Sequence, residues 1–302
     1  MAYNLKTIKE QFKKEGIFYT SPELALKLKS YIDVPISNVY DPTCGDGGLL
    51  QNFPNEIKKY GQEKSFEQLE VAKQNLVNFE GVCGDTLESP AFMDMQFDCI
   101  LANPPFSISW QPKMDSRFES VKILPPPSKA DFAFVLHCLH LLNKNGVAII
   151  LGFPGILYRS GKEGQIRQWL VEQNYISKVV EIAGGMFVDT KISTVILVLK
   201  KNKVDDNIEF IDDSNNIAKT VSIEEIKDND YNLSVKSYVK LPETEKEKID
   251  PVALEMLARK QFLNKLKQDL EFSKYVCGIE GLDFGEYLNE IQNVLKEFYK
   301  NL

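Results

Sequence analysis

The residues best suited to chemistry lie in the segment 97–106, which reads F-D-C-I-L-A-N-P-P-F. Its apolar first half predicts a buried strand that ends at Asn103. Proline fixes φ and restricts the residue before it, so Pro104 and Pro105 make the chain stiff and extended at this point. The side-chain oxygen of Asn103 and the carbonyl of Pro104 then become two fixed, uncharged acceptors. Such a pair suits the two hydrogens of an exocyclic amine.

A planar ring, Phe106, follows these acceptors. The amine of adenine is a poor nucleophile while its lone pair is delocalised into the ring, and two fixed acceptors can hold its hydrogens out of that plane. An extruded base could stack on Phe106, a contact worth about 1–3 kcal/mol per base. Taken alone, Asn-Pro-Pro is equally typical of a turn that ends a strand. The surrounding sequence must decide between the two interpretations.

A glycine-rich turn, D-P-T-C-G-D-G-G, occupies residues 41–48 directly after a predicted strand that ends at Val39-Tyr40. Open α/β sheets place their ligands at such strand ends, and glycine lets the backbone approach a ligand closely. The turn lacks the Gly-Lys-Ser/Thr ending of a phosphate-binding loop. Asp41, Gly45 and Gly47 therefore predict a site for a nucleoside with an amino-acid tail, whose ammonium pairs with the carboxylate. A plain glycine turn is the alternative.

Acidic residues follow two further predicted strands. Glu63 precedes a predicted helix over 66–79, and an acid at this distance from the turn can accept from both ribose hydroxyls. Asp85 ends a third short strand predicted within 82–87, where it could accept from the amine of an adenine ring. Each acid alone is more often a solvated loop charge. The recurrence of an acid at three strand ends favours one nucleoside site.

Composition limits the functional classes. A chain of 302 residues, 43% hydrophobic and 26% charged, can bury one substantial core and carry a small appendage. The sequence contains neither a membrane-length apolar run nor a signal segment, which predicts a cytoplasmic protein. The five cysteines are not spaced as a disulfide framework or a zinc site, so no metal is predicted.

The charge pattern bears on nucleic-acid binding. A formal net charge of −7 argues against a chain that holds DNA alone, because such proteins usually carry a basic surplus. The long loop 107–129 carries several basic side chains although the chain as a whole is acidic. It suits contact with a phosphate backbone beside an extruded base. Its basic and aromatic side chains are Trp110, Lys113, Arg117, Lys122 and Lys129.

From residue 250 the pattern becomes helical. Apolar residues step by three and four along two seams, 252–270 and 284–298. The seams could close on each other as a hairpin or bind a partner. We predict a catalytic domain over 1–240 and a helical extension over 241–302.

In this order, the motifs resemble those of the N6-adenine DNA methyltransferases, and more closely those of the modification subunits of type I restriction-modification systems. The resemblance covers roughly residues 16 to 240. The segments that carry it include G-I-F-Y-T-S-P, D-P-T-C-G-D-G-G-L-L, G-Q-E, G-D-T-L, N-P-P-F, A-D-F-A-F and G-F-P-G-I-L-Y-R.

The resemblance implies S-adenosylmethionine as methyl donor and N6 of a flipped adenine in double-stranded DNA as acceptor. We predict a Rossmann-like methyltransferase fold, an α/β sheet of seven mostly parallel strands with one antiparallel strand near an edge. The resemblance also implies a specificity subunit as partner of the C-terminal helices. The cofactor-binding residues that we predict are Phe18, Tyr19, Thr20, Asp41, Thr43, Cys44, Gly45, Gly47, Glu63 and Asp85. The catalytic residues that we predict are Asn103, Pro104, Pro105 and Phe106.

Three features depart from the family's pattern. Ser21 separates Thr20 from Pro22, Asp46 stands where the family has a small residue, and the family's N-terminal helical domain has no counterpart in this sequence.

Two other functions remain open. The N-P-P motif also occurs in enzymes that methylate a protein glutamine or an RNA amine, and a catalytically idle subunit could keep the fold for binding.

Overall fold

The structure, a computed structural model, describes residues 20–182, 194–240 and 251–300. Phe18 and Tyr19 lie outside these ranges. The chain divides into two compact units, residues 1–241 and 242–302. Within the described ranges, no helix is long and apolar enough to cross a membrane.

The first unit contains a nine-stranded sheet. In chain order its strands are β1 (Asn38–Asp41), β2 (Lys58–Glu63), β3 (Phe79–Cys83), β4 (Phe97–Ala102), β5 (Leu142–Gly152), β6 (Ile176–Ile182), β7 (Thr194–Lys200), β8 (Ile208–Asp212) and β9 (Ile217–Val221). Their order in space is β3-β2-β1-β4-β5-β7-β6-β8-β9. β7 runs antiparallel to both of its neighbours and β9 runs antiparallel to β8, whereas the other pairs are parallel.

Helices precede, connect and follow the strands of the sheet. They are α1 (Pro22–Lys29), α2 (Phe66–Asn75), α3 (Asp131–Leu141), α4 (Lys162–Glu172), α5 (Ile223–Asp228) and α6 (Val235–Tyr238), and the second unit consists of α7 (Pro251–Glu280) and α8 (Phe284–Lys300). The side chain of Ser21 caps α1 by accepting from the Leu24 N–H, an arrangement typical of a serine that precedes proline at a helix start.

Two apolar cores lie on opposite faces of the sheet, because alternate residues of a strand point to opposite faces. Ile100 of β4 belongs to the core that contains α3 and α4, whereas Cys99 and Leu101 belong to the core that contains α1 and α2. Helices therefore cover both faces. The predicted fold class is confirmed, with two more strands than predicted because β8 and β9 extend the edge next to β6.

The region between β2 and β4 differs from the prediction. The helix predicted over 66–79 ends at Asn75, and Phe79 begins β3. Asp85 therefore lies two residues beyond its strand. The sequence F-E-G-V-C gives a weak strand signal because Gly81 interrupts it and no residue of the strand is fully buried.

Candidate active site

A cavity of about 670 Å³ lies at the carboxyl ends of β1, β2 and β4. Parallel strands bring their carboxyl ends to one edge of a sheet, which is where α/β folds bind ligands. The cavity is lined by a large part of the predicted site: Thr20, Asp41, Thr43, Cys44, Gly45, Glu63, Asp85, Asn103 and Pro105.

Three other predicted residues that the structure describes do not line the cavity. Pro104 is buried, and the ring of Phe106 packs against the ring of Phe153, with 6.5 Å between centroids. Gly47 has φ +88°, and a Cβ there would lie 2.7 Å from Cδ1 of Leu76, so this glycine permits a close approach to Leu76. Functional roles for these residues remain predictions.

Asp41 ends β1 as a buried carboxyl, 1% exposed. Its Oδ1 accepts a 2.9 Å hydrogen bond from the N–H of Thr43. Burial raises the pKa of Asp41 to about 8, since this hydrogen bond compensates only part of the desolvation. The fold therefore keeps a protonated carboxyl in the cavity wall at neutral pH.

Glu63 joins two parts of the site through its two carboxylate oxygens. Oε2 accepts from the N–H of Gly45 at 2.9 Å, and Oε1 accepts from the N–H of Ser65 at 2.8 Å. Ser65 is the N-cap of α2, so one side chain links the glycine turn to the start of this helix. A carboxylate has about four acceptor positions, which leaves capacity for a ligand's hydroxyl groups.

Asp85 is held at the cavity rim. Its Oδ1 accepts from the N–H groups of Leu87 and Glu88 at 2.9 and 3.2 Å, and its Oδ2 lies 3.0 Å from Nζ of Lys64. Partial burial raises the pKa of Asp85, but Lys64 and the two N–H groups outweigh it and hold the pKa below its usual value. This carboxylate is therefore ionised at neutral pH, in contrast to Asp41.

Thr43 and Cys44 differ in what they offer a ligand. Oγ1 of Thr43 is buried and makes no hydrogen bond to any described residue, so it is a polar atom that a bound ligand could satisfy. Burial raises the pKa of the Cys44 thiol well above its usual range, which makes this cysteine unreactive. Oxygen acceptors and an unsatisfied hydroxyl in one cavity fit a nucleoside with a cationic tail.

Asn103 follows β4 and is oriented by Thr20. Its Nδ2 donates a 2.9 Å hydrogen bond to Oγ1 of Thr20, which fixes which end of the amide faces that residue. The amide oxygen is consequently directed away from Thr20. Cavity, amide and acids thus meet within one site, as the sequence predicts.

The loop 107–129 is placed differently from the prediction. Trp110 is buried and lines the cavity, with its Nε1 donating to the carbonyl of Pro126. Arg117 is also buried, and its guanidinium donates to Asp115 and to the carbonyls of Thr86 and Leu87. These two side chains are therefore not available to a DNA backbone. Lys113 and Lys122 are exposed.

Sequence reasoning missed several cavity residues. Ile108, Trp110 and Phe134 add apolar surface to the lining of the cavity. The available signal was the position of Phe134 in A-D-F-A-F, an aromatic-rich segment at the start of α3. The segment by itself could not show that one of its rings reaches the cavity.

Comparisons with known proteins agree with this geometry. The model of the N-6 DNA methylase family matches residues 3–220 and 213–247. The chain is 34% identical to the methylase subunit of the type I restriction enzyme MpnII of Mycoplasma pneumoniae, over 79% of this chain and 55% of that protein. It is 29% identical to the MjaVII methylase subunit of Methanocaldococcus jannaschii, over 88% of this chain and 56% of that protein.

A solved structure is also similar. The type I restriction-modification methyltransferase subunit from Streptococcus thermophilus superposes with a TM-score of 0.67 and 29% identity, over 74% of this chain and 59% of that one. The family predicted from the sequence is confirmed. The chain spans about half the length of the curated relatives MpnII and MjaVII.

The buried carboxyl of Asp41 gives a pH-dependent prediction for stability. Its pKa is about 8 in the fold and about 3.9 in an unfolded chain, so between these values the fold binds a proton that the unfolded chain does not. The free energy of unfolding must then fall as pH rises, by up to about 1.4 kcal/mol per pH unit. Asp41→Asn removes this dependence. Urea unfolding should show the variant gaining stability, relative to the unchanged protein, from about pH 6 to about pH 8.

The matched control is Asp85→Asn. The pKa of Asp85 lies below its usual value, so its contribution to stability is present above the unfolded pKa and does not vary between pH 6 and pH 8. A stability difference for Asp41→Asn that is the same at both pH values would contradict the burial argument.

Proposed function

Because the chain belongs to the N-6 DNA methylase family, we propose that it transfers a methyl group from S-adenosylmethionine to N6 of an adenine extruded from double-stranded DNA. The observation that carries the proposal is the cavity itself. Asn103 of N-P-P-F stands on the wall of the same cavity as Asp41, Glu63 and Asp85. An amine-binding amide and a nucleoside site in contact are what this transfer requires.

The residues at the end of β4 act on the acceptor. The amide oxygen of Asn103 and the carbonyl of Pro104 accept the two amine hydrogens, which makes the N6 lone pair available for in-line attack. Phe106 stacks on the extruded base. The donor supplies a methyl on a sulfonium that is already activated, so positioning provides much of the rate. The N6 atom then releases one proton to solvent.

The other strand ends hold the donor. Asp41 pairs with its ammonium, and Glu63 accepts from the ribose hydroxyls through the acceptor capacity that its two backbone bonds leave. Asp85 accepts from the adenine amine at the rim. The hydroxyl of Thr43, buried without a hydrogen bond in the described chain, is placed to contact the donor's polar groups.

We expect Asn103→Ala to abolish methyl transfer while leaving donor affinity nearly unchanged, because the amide acts on the acceptor amine in the transition state. Transfer is measured with labelled donor and adenine-containing duplex DNA, and affinity by calorimetry. Thr20→Val is the matched variant. It removes the 2.9 Å bond that orients the amide but keeps the amide itself, so we expect an intermediate rate. More than about a tenth of the original rate in Asn103→Ala would reject its role.

We expect Glu63→Ala to weaken donor binding by roughly 1.5–3 kcal/mol, the range for hydrogen bonds to a charged group. Part of this loss comes from the freed N–H groups of Gly45 and Ser65. Glu70→Ala is the control, since Glu70 is an exposed acid of α2 that pairs with Lys73. A change in the dissociation constant of less than about threefold would make Glu63 a structural residue only.

Two alternative functions are separated by the same reagents. An enzyme that methylates protein glutamine or RNA would transfer label to those polymers and not to DNA. A catalytically idle subunit that does not bind the donor would give no heat in a calorimetric titration with S-adenosylmethionine. The presence of Asn103 at the cavity favours a catalyst over an idle subunit, and the match to the N-6 DNA methylase family favours DNA as the substrate.

The helical unit supports a proposal about partners. α7 and α8 meet at their turn, where the N–H of Leu282 donates to the carbonyl of Cys277. Within this unit, apolar residues of the first seam remain exposed, including Met256 at 68%, Leu263 at 56% and Leu266 at 40%. A hairpin therefore leaves much of this seam uncovered. We propose that a specificity subunit, which reads the DNA sequence, covers it.

We expect the chain alone to show little site-specific methylation and to gain it with that subunit, because the overall charge of −7 disfavours DNA binding. Deleting residues 250–302 should prevent complex formation in size-exclusion chromatography but preserve donor binding. Methylation of one defined sequence by the purified chain, without a partner and at moderate salt, would be the contrary result.

A further inference from the structure

Four charged residues form a cluster outside the cavity, on the other side of the N-P-P-F loop. Two are acids, Asp131 and Glu163, which are 6% and 4% exposed. Two are cations, Arg159 and Lys129, whose side chains are 21% and 37% exposed. Nη1 of Arg159 lies 3.4 Å from Glu163 and 3.9 Å from Asp131, and Nζ of Lys129 lies 4.0 Å from Glu163. The acids are therefore buried, and the two cations are the more exposed members of the cluster.

This cluster is attached to the N-P-P-F loop by two routes. Oδ1 of Asp131 accepts a 3.1 Å hydrogen bond from the N–H of Ser107, the residue directly after Phe106. The guanidinium of Arg159 lies 6.0 Å from the ring of Phe153, which in turn packs against Phe106. Arg159 is thus held near the ring proposed to stack on the extruded base.

The orientation of Arg159 is fixed on its inner side. A Cβ at Gly155 would lie 2.4 Å from Nε of Arg159, so the guanidinium lies directly against this glycine, and a larger residue there would displace it. Oδ2 of Asp131 is buried and makes no hydrogen bond in the described part of the chain, so it attracts Arg159 only through charge. A planar guanidinium held by buried acids, with one side toward solvent, is preorganised to bind an external anion.

We propose that Arg159 and Lys129 bind a phosphodiester group of the DNA strand beside the extruded adenine. This inference rests on the proposed function. A base that leaves the duplex carries its sugar and flanking phosphates toward the loop that receives it. Lys129 is one of the cations that the sequence suggested for this contact, whereas another of them, Arg117, is buried and bound to Asp115 and two carbonyls. Arg159 and Lys129 supply the outward positive charge that Arg117 does not.

The test uses the full chain and a short duplex with one unpaired adenine, which costs little to extrude. Binding is followed by fluorescence anisotropy between about 50 and 200 mM salt. Arg159→Met and Lys129→Met should each weaken binding and make the plot of log K against log salt less steep, by at most about 0.9, the value for the one phosphate that the two side chains share. Arg159→Lys keeps the charge and should keep the slope.

Lys219→Met is the matched control. Lys219 lies on β9, the edge strand away from the cavity, and pairs with Glu225. It should change neither affinity nor slope. If Arg159→Met does not fold, as judged by circular dichroism, Lys129→Met and Arg159→Lys carry the test, because Lys129 is partly exposed and its ion pair is long.

The inference would be overturned if Lys129→Met and Arg159→Met had the same salt slope as the original protein. It would also be overturned if the original protein bound no DNA at the lowest salt. Donor titration and methyl transfer to the same duplex judge the proposed function separately. Transfer with unchanged slopes would reject only the phosphate site. If the slope depends on Arg159 but the protein neither binds the donor nor transfers a methyl group, the proposed function is rejected and only an anion-binding site remains.

Discussion

The site depends on the hydrogen-bonded register of three parallel strands. Val39 of β1 pairs with Lys59 of β2 on one side and with Cys99 of β4 on the other. Because the three strands run in the same direction, their carboxyl ends reach one edge of the sheet together. The residues that end them or follow them, Glu63, Asp41 and Asn103, therefore share a cavity although the sequence separates them widely. A shift of β4 by one residue would turn its side chains to the opposite face.

Side-chain hydrogen bonds then fix what the register brings together. Glu63 ties the turn at Gly45 to the start of α2, and Thr20 orients the amide of Asn103. The two bonds to Glu63 use one acceptor position on each of its oxygens, which leaves acceptor capacity for a ligand. Binding groups held in this way lose little entropy when a ligand arrives, which is the general benefit of preorganisation.

The sequence predicted those parts of the fold that local signals specify. The glycine turn, the acid that ends β2 and the cap at Ser21 each follow from residue types at short spacing. The long-range parts were not predictable in this way. Trp110 and Arg117 occupy a polar, proline-rich loop, and only the packing of that loop against the segment after β3 buries them. β9 is short with an exposed middle, so its pairing to β8 gives no clear alternation. The Asp131 and Arg159 cluster joins residues from three separate segments.

The protonated carboxyl of Asp41 has a consequence for ligand choice. Burial holds the pKa of Asp41 at about 8, so in the proposed mode of binding the ammonium of the donor must replace a proton. A nucleoside that lacks an amino-acid tail brings no cation to favour this exchange. Adenosine and related metabolites would meet a neutral acid and lose the charge interaction. Binding then favours molecules whose cation can replace the proton of Asp41. An open cavity can in this way discriminate among molecules that share the same base and sugar.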